Sequence, residues 1–254
     1  MGPARAGQLL FRGAVQLRAS DPSFGGFSGL VVSEDGRRAR AVSDRGAWAV
    51  WDIELSNAWL TSAADLHLAP MKGLDGGALK PPLSDAEEAA AVEGGYLVSF
   101  EREHRLLFYP FEGGAFGAPA LFPVPPGMDE FKYNAGVEAM AARDGRIVMI
   151  AEEPAPGEAD LRVWIWDGAE WAGARYPYDK PFSPTGAAFA PDGDLIVLER
   201  GYFGGTRVEA RVRRIASDDL QPGAELRGEM LGALDRRHAV DNFEALAVTE
   251  EDGR

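Results

Sequence analysis

Carboxylates recur in this chain at a fixed interval. Fourteen residues separate Glu87 from Glu101 and Glu138 from Glu152, and the same interval runs from Thr185 to Glu199. A wider copy spans sixteen residues from Ser28 to Asp44, and a last opening stands at Glu244. Brought together, Asp44, Glu87, Glu101, Glu138, Glu152, Glu199 and Glu244 would place seven carboxylates around one point. Such groups repel and raise one another's pKa unless a cation or an arginine compensates. Ca²⁺ suits this donor set, because it takes about 6–8 oxygen ligands in flexible geometry. With three histidines and no cysteine, the chain offers little to zinc. Arg45, Arg102 and Arg200 each follow a second acid directly. They are candidates to neutralise it across a boundary between repeats, or to hold an anionic substrate.

The chemistry these residues could perform is hydrolysis. A bound cation would neutralise ester or phosphate oxygens, with Glu138 or Glu87 as general base and Ser28, Thr185 and the three arginines holding the substrate. His104 lies just beyond Glu101-Arg102 and is a further catalytic candidate, whereas His67 reads as a strand residue and His238 as part of a solvated loop. A scaffold role competes with this, since acidic and hydroxyl side chains at strand starts also bind neighbouring backbone amides, and ion-pair networks produce similar clusters. Gly26-Phe27-Ser28-Gly29-Leu30 does not make a nucleophile elbow. Leu30 stands where the elbow needs glycine, and the segment leads into a strand instead of a helix.

The elements that must position these acids are short hairpins. Val137–Glu152 reads as an apolar strand, an Asp144-Gly145 turn and a second strand rich in Ile and Val. Asp-Gly between such runs is a strong hairpin signal, because both residues tolerate positive φ. The strands run antiparallel, which brings Glu138 and Glu152 to the same end. Copies open at positions 28, 87, 138, 185 and 244, separated by 59, 51, 47 and 59 residues. Repeats near this length, with about four strands each, mark propeller blades. The expected fold is all-β and β-propeller-like, with about five to six blades around a central channel, in one domain over residues 1–254. The acids gather at the channel mouth. Gln8–Leu17 is expected as one or two outer strands sealing the ring, and 226–234 as an outer strand or short helix. Trp164 and Trp166 share one face of an outer strand and read as inter-blade packing. Tyr202 and Phe203 sit on a glycine-flanked loop following Glu199-Arg200 and read as packing, with the wall of a substrate cleft as the alternative. A partner fourteen residues after Glu244 would fall beyond Arg254, so the last blade is expected to be incomplete.

Composition narrows the partners. The formal net charge of −14 argues against non-specific nucleic-acid binding and against adhesion to anionic membranes. The alternating basic strand Arg207–Ile215 carries Glu209 and is no nucleic-acid stripe. No apolar run reaches the roughly 18 residues of a membrane span, and the N-terminus lacks the pattern of a signal peptide. The expected partner is a small-molecule ester or phosphoester; oligomeric state is not encoded in any legible way.

Phe24-Gly25-Gly26-Phe27-Ser28-Gly29-Leu30, Ala41–Gly46, Leu97–Arg102, Pro184-Thr185-Gly186 and Asp241-Asn242-Phe243-Glu244 together resemble the bacterial phytase-like family, described by the esterase-like activity of phytase. The resemblance extends from about Gly7 to the C-terminus. It implies a propeller-like fold, a periplasmic or secreted setting, and an ester or phosphoester hydrolase. The family's Glu-Gly-Leu is here Glu87-Glu88-Ala89, which adds a second charge at that strand. A non-catalytic ligand- or protein-binding propeller and a Ca²⁺-dependent lactonase are the alternatives.

Overall fold

The computed structural model describes residues 9–205, 207–234 and 242–250. Its strands form four antiparallel sheets that follow one another in chain order, the four blades of a β-propeller. Blade 1 comprises β1 (Phe27–Val32), β2 (Arg38–Ser43), β3 (Ala47–Ser56) and β4 (Trp59–Pro70). Blade 2 comprises β5 (Ala86–Val92), β6 (Gly95–Phe100), β7 (Arg105–Glu112) and β8 (Ala115–Phe116), and β9 (Ala120–Phe122) also pairs with β7. Blade 3 comprises β10 (Val137–Arg143), β11 (Arg146–Ala151), β12 (Leu161–Trp166) and β13 (Trp171–Tyr176). Blade 4 comprises β14 (Phe182–Phe189), β15 (Leu195–Tyr202), β16 (Val208–Ile215) and β17 (Glu229–Leu234).

The inner strands β1, β5, β10 and β14 pack successively against one another. The turn that opens blade 3 has the expected form, with φ of 50° at Asp144 and 78° at Gly145. The second strand of the hairpins in blades 2, 3 and 4 is apolar along most of its length because it faces a neighbour on both sides. In β11, Ile147, Met149 and Ala151 enter the core shared with blade 2, whereas Val148 and Ile150 enter the core shared with blade 4. In β15, Leu195 and Val197 face blade 3, and Ile196 and Leu198 pack with Phe243, Leu246 and Val248. Trp164 and Trp166 both belong to the core between blades 2 and 3.

Four blades replace the expected five to six. The fifth copy of the opening, at Glu244, lies in residues 242–250, which form no strand among the described residues. This segment nevertheless runs beside blade 4. The Thr185 hydroxyl donates to the Phe243 carbonyl at 2.8 Å, and Gly186 lies so close that a Cβ there would stand 2.8 Å from the Leu246 nitrogen. Farther along, Thr249 reaches the Gly36 turn of blade 1. One ribbon, without antiparallel partners, is not a blade. The outer strands expected at 8–17 are also absent from the described part, residues 9–17, whose pairing is limited to isolated contacts such as the Leu60 amide on the Arg12 carbonyl at 2.8 Å. Of residues 226–234, Glu229–Leu234 form strand β17, and the Asp252-Gly253 turn, His238 and Asp241 lie outside the described residues.

Candidate functional site

Each inner strand carries an irregularity at its opening residue. Val137 pairs with Ala151 and Ala139 with Ile150, so Glu138 is the extra residue of a β-bulge. Glu87 occupies the same place in β5, Thr185 in β14, and Ser28-Gly29 in β1. A bulge re-aims its side chain relative to the pleat. It turns Glu87 and Glu138 toward the ends of β6 and β11, where Glu101 and Glu152 follow. Those ends are pinned in the same way in three blades. The amides of Asp44, Glu101 and Glu152 donate to the carbonyls of Gly26, Asp85 and Gly136 at 2.9, 3.0 and 3.1 Å.

The result is two interlocking groups of carboxylates. Asp85, Glu87 and Glu101 each offer an oxygen within 4.8 Å of the others, and so do Glu101, Glu138 and Glu152. Arginines line one side. Arg102 Nε is 2.5 Å from Asp85, while Arg200 reaches Glu138 at 3.6 Å and Glu244 at 3.1 Å and donates to the Asn242 side chain at 2.9 Å. Burial and mutual repulsion raise the pKa values. Burial first, then Glu101 and Glu138, pushes Glu87 up to about 9. Burial, with Glu138 and Asp85, takes Glu101 to about 7, and burial with a shared hydrogen bond to Glu138 takes Glu152 to about 10. Burial likewise raises Glu244 against the opposing pull of Arg200, and Asp85 against that of Arg102.

The remaining expected residues are dispersed. Glu199 is fully buried away from both groups, held by Arg211 and by Arg213 Nε at 2.8 Å. Asp44 is exposed at the rim, folded over Gly26, where any Cβ would collide with its carboxylate. Arg45 spends its guanidinium on the carbonyls of Pro22 and Phe24, at 3.1 and 2.6 Å. Thr185 ties down residue 243, and Ser28 is buried at its bulge. His104 Nε2 is 3.0 Å from the Lys132 carbonyl, which can only accept, so Nε2 carries the proton; Nδ1 is buried without a partner. Both Nδ1 and the Glu101 side chain lie against Gly136.

One participant was missed by counting fourteen residues, and another, Arg200, was named but given the wrong register. Asp85 joins the first group from the residue immediately before β5, two positions ahead of the bulged Glu87. Arg200, not Glu199, takes the Glu152 position in blade 4. Pairing of Gly186 with Leu198 and Pro184 with Glu199 matches that of Ala139 with Ile150 and Val137 with Ala151, so the next residue is Arg200. The loop between Phe189 and Leu195 is longer than the Asp144-Gly145 turn and moves the register by one.

The donor set is all oxygen and fits a hard cation such as Ca²⁺. Glu101 is 8% exposed, and among the described residues its carboxylate receives neither a hydrogen bond nor an ion pair. One oxygen of Glu138 is buried without a hydrogen-bond partner. A surface recess lined by Ser33, Glu34, Arg37 and Arg38 lies at the opposite end of β1, away from these acids.

Comparison with known proteins gives the fold and the family. The bifunctional GH43-CE protein of Bacteroides eggerthii is similar over 87% of this chain and 29% of its own, at 12% identity and a TM-score of 0.51. The chain thus spans under a third of that protein's length. The nidogen/laminin complex structure matches 88% of this chain and 84% of its own, at 8% identity and a TM-score of 0.46. No curated protein matches the sequence. No helix among the described residues is long and apolar enough to cross a membrane. The family model "Phytase-like: Esterase-like activity of phytase" matches residues 22–254, nearly the whole length, and the chain belongs to that family.

Proposed function

We propose that this chain is an ester or phosphoric-ester hydrolase whose reaction takes place at the acidic mouth, with Ca²⁺ held by Asp85, Glu87, Glu101, Glu138 and Glu152. The observation that carries the reading is the convergence of buried and half-buried, incompletely paired carboxylates from two blades on Glu101. When bound, the cation supplies positive charge to the ester or phosphoryl oxygen on which charge develops. Glu138, half-buried at its bulge, is the general base that accepts the proton of the attacking water. Arg200, braced by Glu138 and Glu244, presents a fixed guanidinium to an anionic substrate group. The lone pair on His104 Nδ1 accepts a hydrogen bond from substrate or water beside Glu101. A periplasmic or secreted setting accords with this reading.

The test is turnover of p-nitrophenyl acetate and p-nitrophenyl phosphate. The reading requires activity that EDTA removes and Ca²⁺ restores, and that Glu138→Gln abolishes in a folded protein. The Arg102–Asp85 pair and the Arg200 pairs with Glu138 and Glu244 favour a second reading, a propeller that binds a ligand without transforming it. Absence of turnover on either substrate, with Ca²⁺ present, selects that reading.

A further inference from the structure

We propose that the recess at the far end of β1 is a second binding site, which takes a small monocarboxylate through Arg40; it is independent of any reaction at the acidic mouth. The recess encloses about 720 Å³, within the range of about 300–1,000 Å³ usual for small-molecule sites. Ser33, Glu34, Asp35 and Arg37 line it from the turn between β1 and β2. Arg38 and Arg40 reach it from β2, and Asp52 and Ile53 from β3.

Arg40 is the unusual member. Its guanidinium lies at the seam between blades 1 and 2, with Cζ 4.7 Å from the centre of the Phe111 ring and 5.7 Å from that of Tyr96. Aromatic faces hold a cation in place, but they offer no in-plane acceptor to its N–H groups. Nε is buried without a partner, and among the described residues no carboxylate or carbonyl accepts from the Nη groups either. Four other stacked guanidinium groups all find such oxygens. Arg105 over Phe100 donates to the Glu103 carbonyl, Arg162 over Phe131 to Glu130, Arg207 over Phe203 to Glu209 and Arg211 over Phe182 to Asp179.

Carboxylates are not scarce around Arg40, yet they are engaged elsewhere. Asp52 pairs with Arg38 at 2.7 Å, Asp35 accepts from the Ser33 hydroxyl at 2.6 Å, and Glu34 is exposed. A fixed guanidinium with unspent donors matches the two oxygens of a carboxylate. The lining sets Arg37, Arg38 and Arg40 against Glu34, Asp35 and Asp52, so it is near neutral before a ligand arrives. Arg40 can meet one added negative charge, whereas the second charge of a phosphate dianion would find no partner. This balance selects the monocarboxylate.

The test is a titration of the ¹⁵N-labelled full chain with sodium benzoate at pH 8, followed by nuclear magnetic resonance at constant ionic strength. Benzyl alcohol and inorganic phosphate are titrated in parallel. Benzoate should produce saturable shifts at the amides of residues 33–40 and at the Arg40 Nε–H, a signal identified by its loss in Arg40→Lys. That variant keeps the charge but not the fork, and it should bind benzoate at least tenfold more weakly. Glu34→Gln, an exposed change, should tighten binding about twofold to fivefold, the scale of one exposed charge interaction. Circular dichroism establishes that each variant is folded, and Glu34→Gln with the benzyl alcohol comparison decides the matter if Arg40→Lys is not. Benzyl alcohol binding as tightly as benzoate, or Arg40→Lys keeping its affinity, overturns the site. Phosphate binding as tightly as benzoate overturns the monocarboxylate, and shifts that never saturate overturn both.

Discussion

Arg200 occupies in blade 4 the register position that Glu152 holds in blade 3. The repeat thus places one cation in a ring of acids, and that cation reaches Glu138 at 3.6 Å and Glu244 at 3.1 Å. Arg200 tilts the acidic mouth toward blades 2 and 3, where the uncompensated carboxylates lie.

Reversing this charge should expose the repulsion it relieves. Arg200→Glu should lower stability in EDTA by about 1.5–3 kcal/mol, the range for hydrogen bonds involving charged groups. Added Ca²⁺ should raise the melting temperature of this variant more than that of the parent. Equal shifts in the two proteins would show that Arg200 does not share the cation's surroundings.

Glu199 should matter to folding and not to the site. Glu199→Gln leaves Arg211 and Arg213 around a neutral group in a buried position, and breaking a buried pair costs about 3–5 kcal/mol. Urea denaturation measures the loss. Ca²⁺ affinity of the folded variant should match the parent's, and a tenfold change would return Glu199 to the ligand set.

The raised carboxylates fix the sign of the pH dependence. Glu101 and Glu87 rise from an ordinary 4.5 to about 7 and about 9 in the folded chain, chiefly through burial. Because folding raises these pKa values, their contribution to stability is fully present below 4.5 and is lost as pH climbs through 7 and 9. In EDTA the melting temperature should fall between about pH 5 and 9. Ca²⁺ should flatten that slope, and scanning calorimetry in both conditions reads it. A melting temperature that rises across this window in EDTA would refute the assignment.

Thr185→Val tests how the final segment is held. The substitution removes the bond to the Phe243 carbonyl and should cost about 1 kcal/mol, typical of one hydrogen bond. Faster amide exchange should be confined to residues 243–248, read by mass spectrometry of fragments. Uniform acceleration over all blades would mean that the bond supports the whole ring.

The hairpins were legible because their signals are local. Asp144-Gly145 between apolar runs specifies a turn that both residues adopt, and Glu138 and Glu152 meet at one end as an antiparallel hairpin requires. The bulges were not legible, since an extra residue leaves no mark in a pattern of small and apolar side chains such as Thr185-Gly186-Ala187-Ala188. The longer loop between Phe189 and Leu195, which moves the register by one, put Glu199 in the ring and left Arg200 as its neighbour. The partners that decide whether an acid is structural are also remote in sequence. Arg211 and Arg213 looked like one face of a basic strand, and only their pairing across from β15 shows that they serve Glu199. Blade count failed for a related reason: Glu244 repeats the inner motif, but a motif for one strand cannot report whether antiparallel partners exist.

Val148 and Ile150 belong to one interface, and Ile147 and Met149, on the same strand, to the next. No sheet therefore owns a private hydrophobic interior that would survive its neighbour's departure. Detaching blade 3 would wet both adjoining seams at once, so intermediates with one blade loose are disfavoured and the ring melts as a single cooperative unit. For this architecture the natural thermodynamic particle is the seam between sheets, and damage to any one of them is felt all the way round.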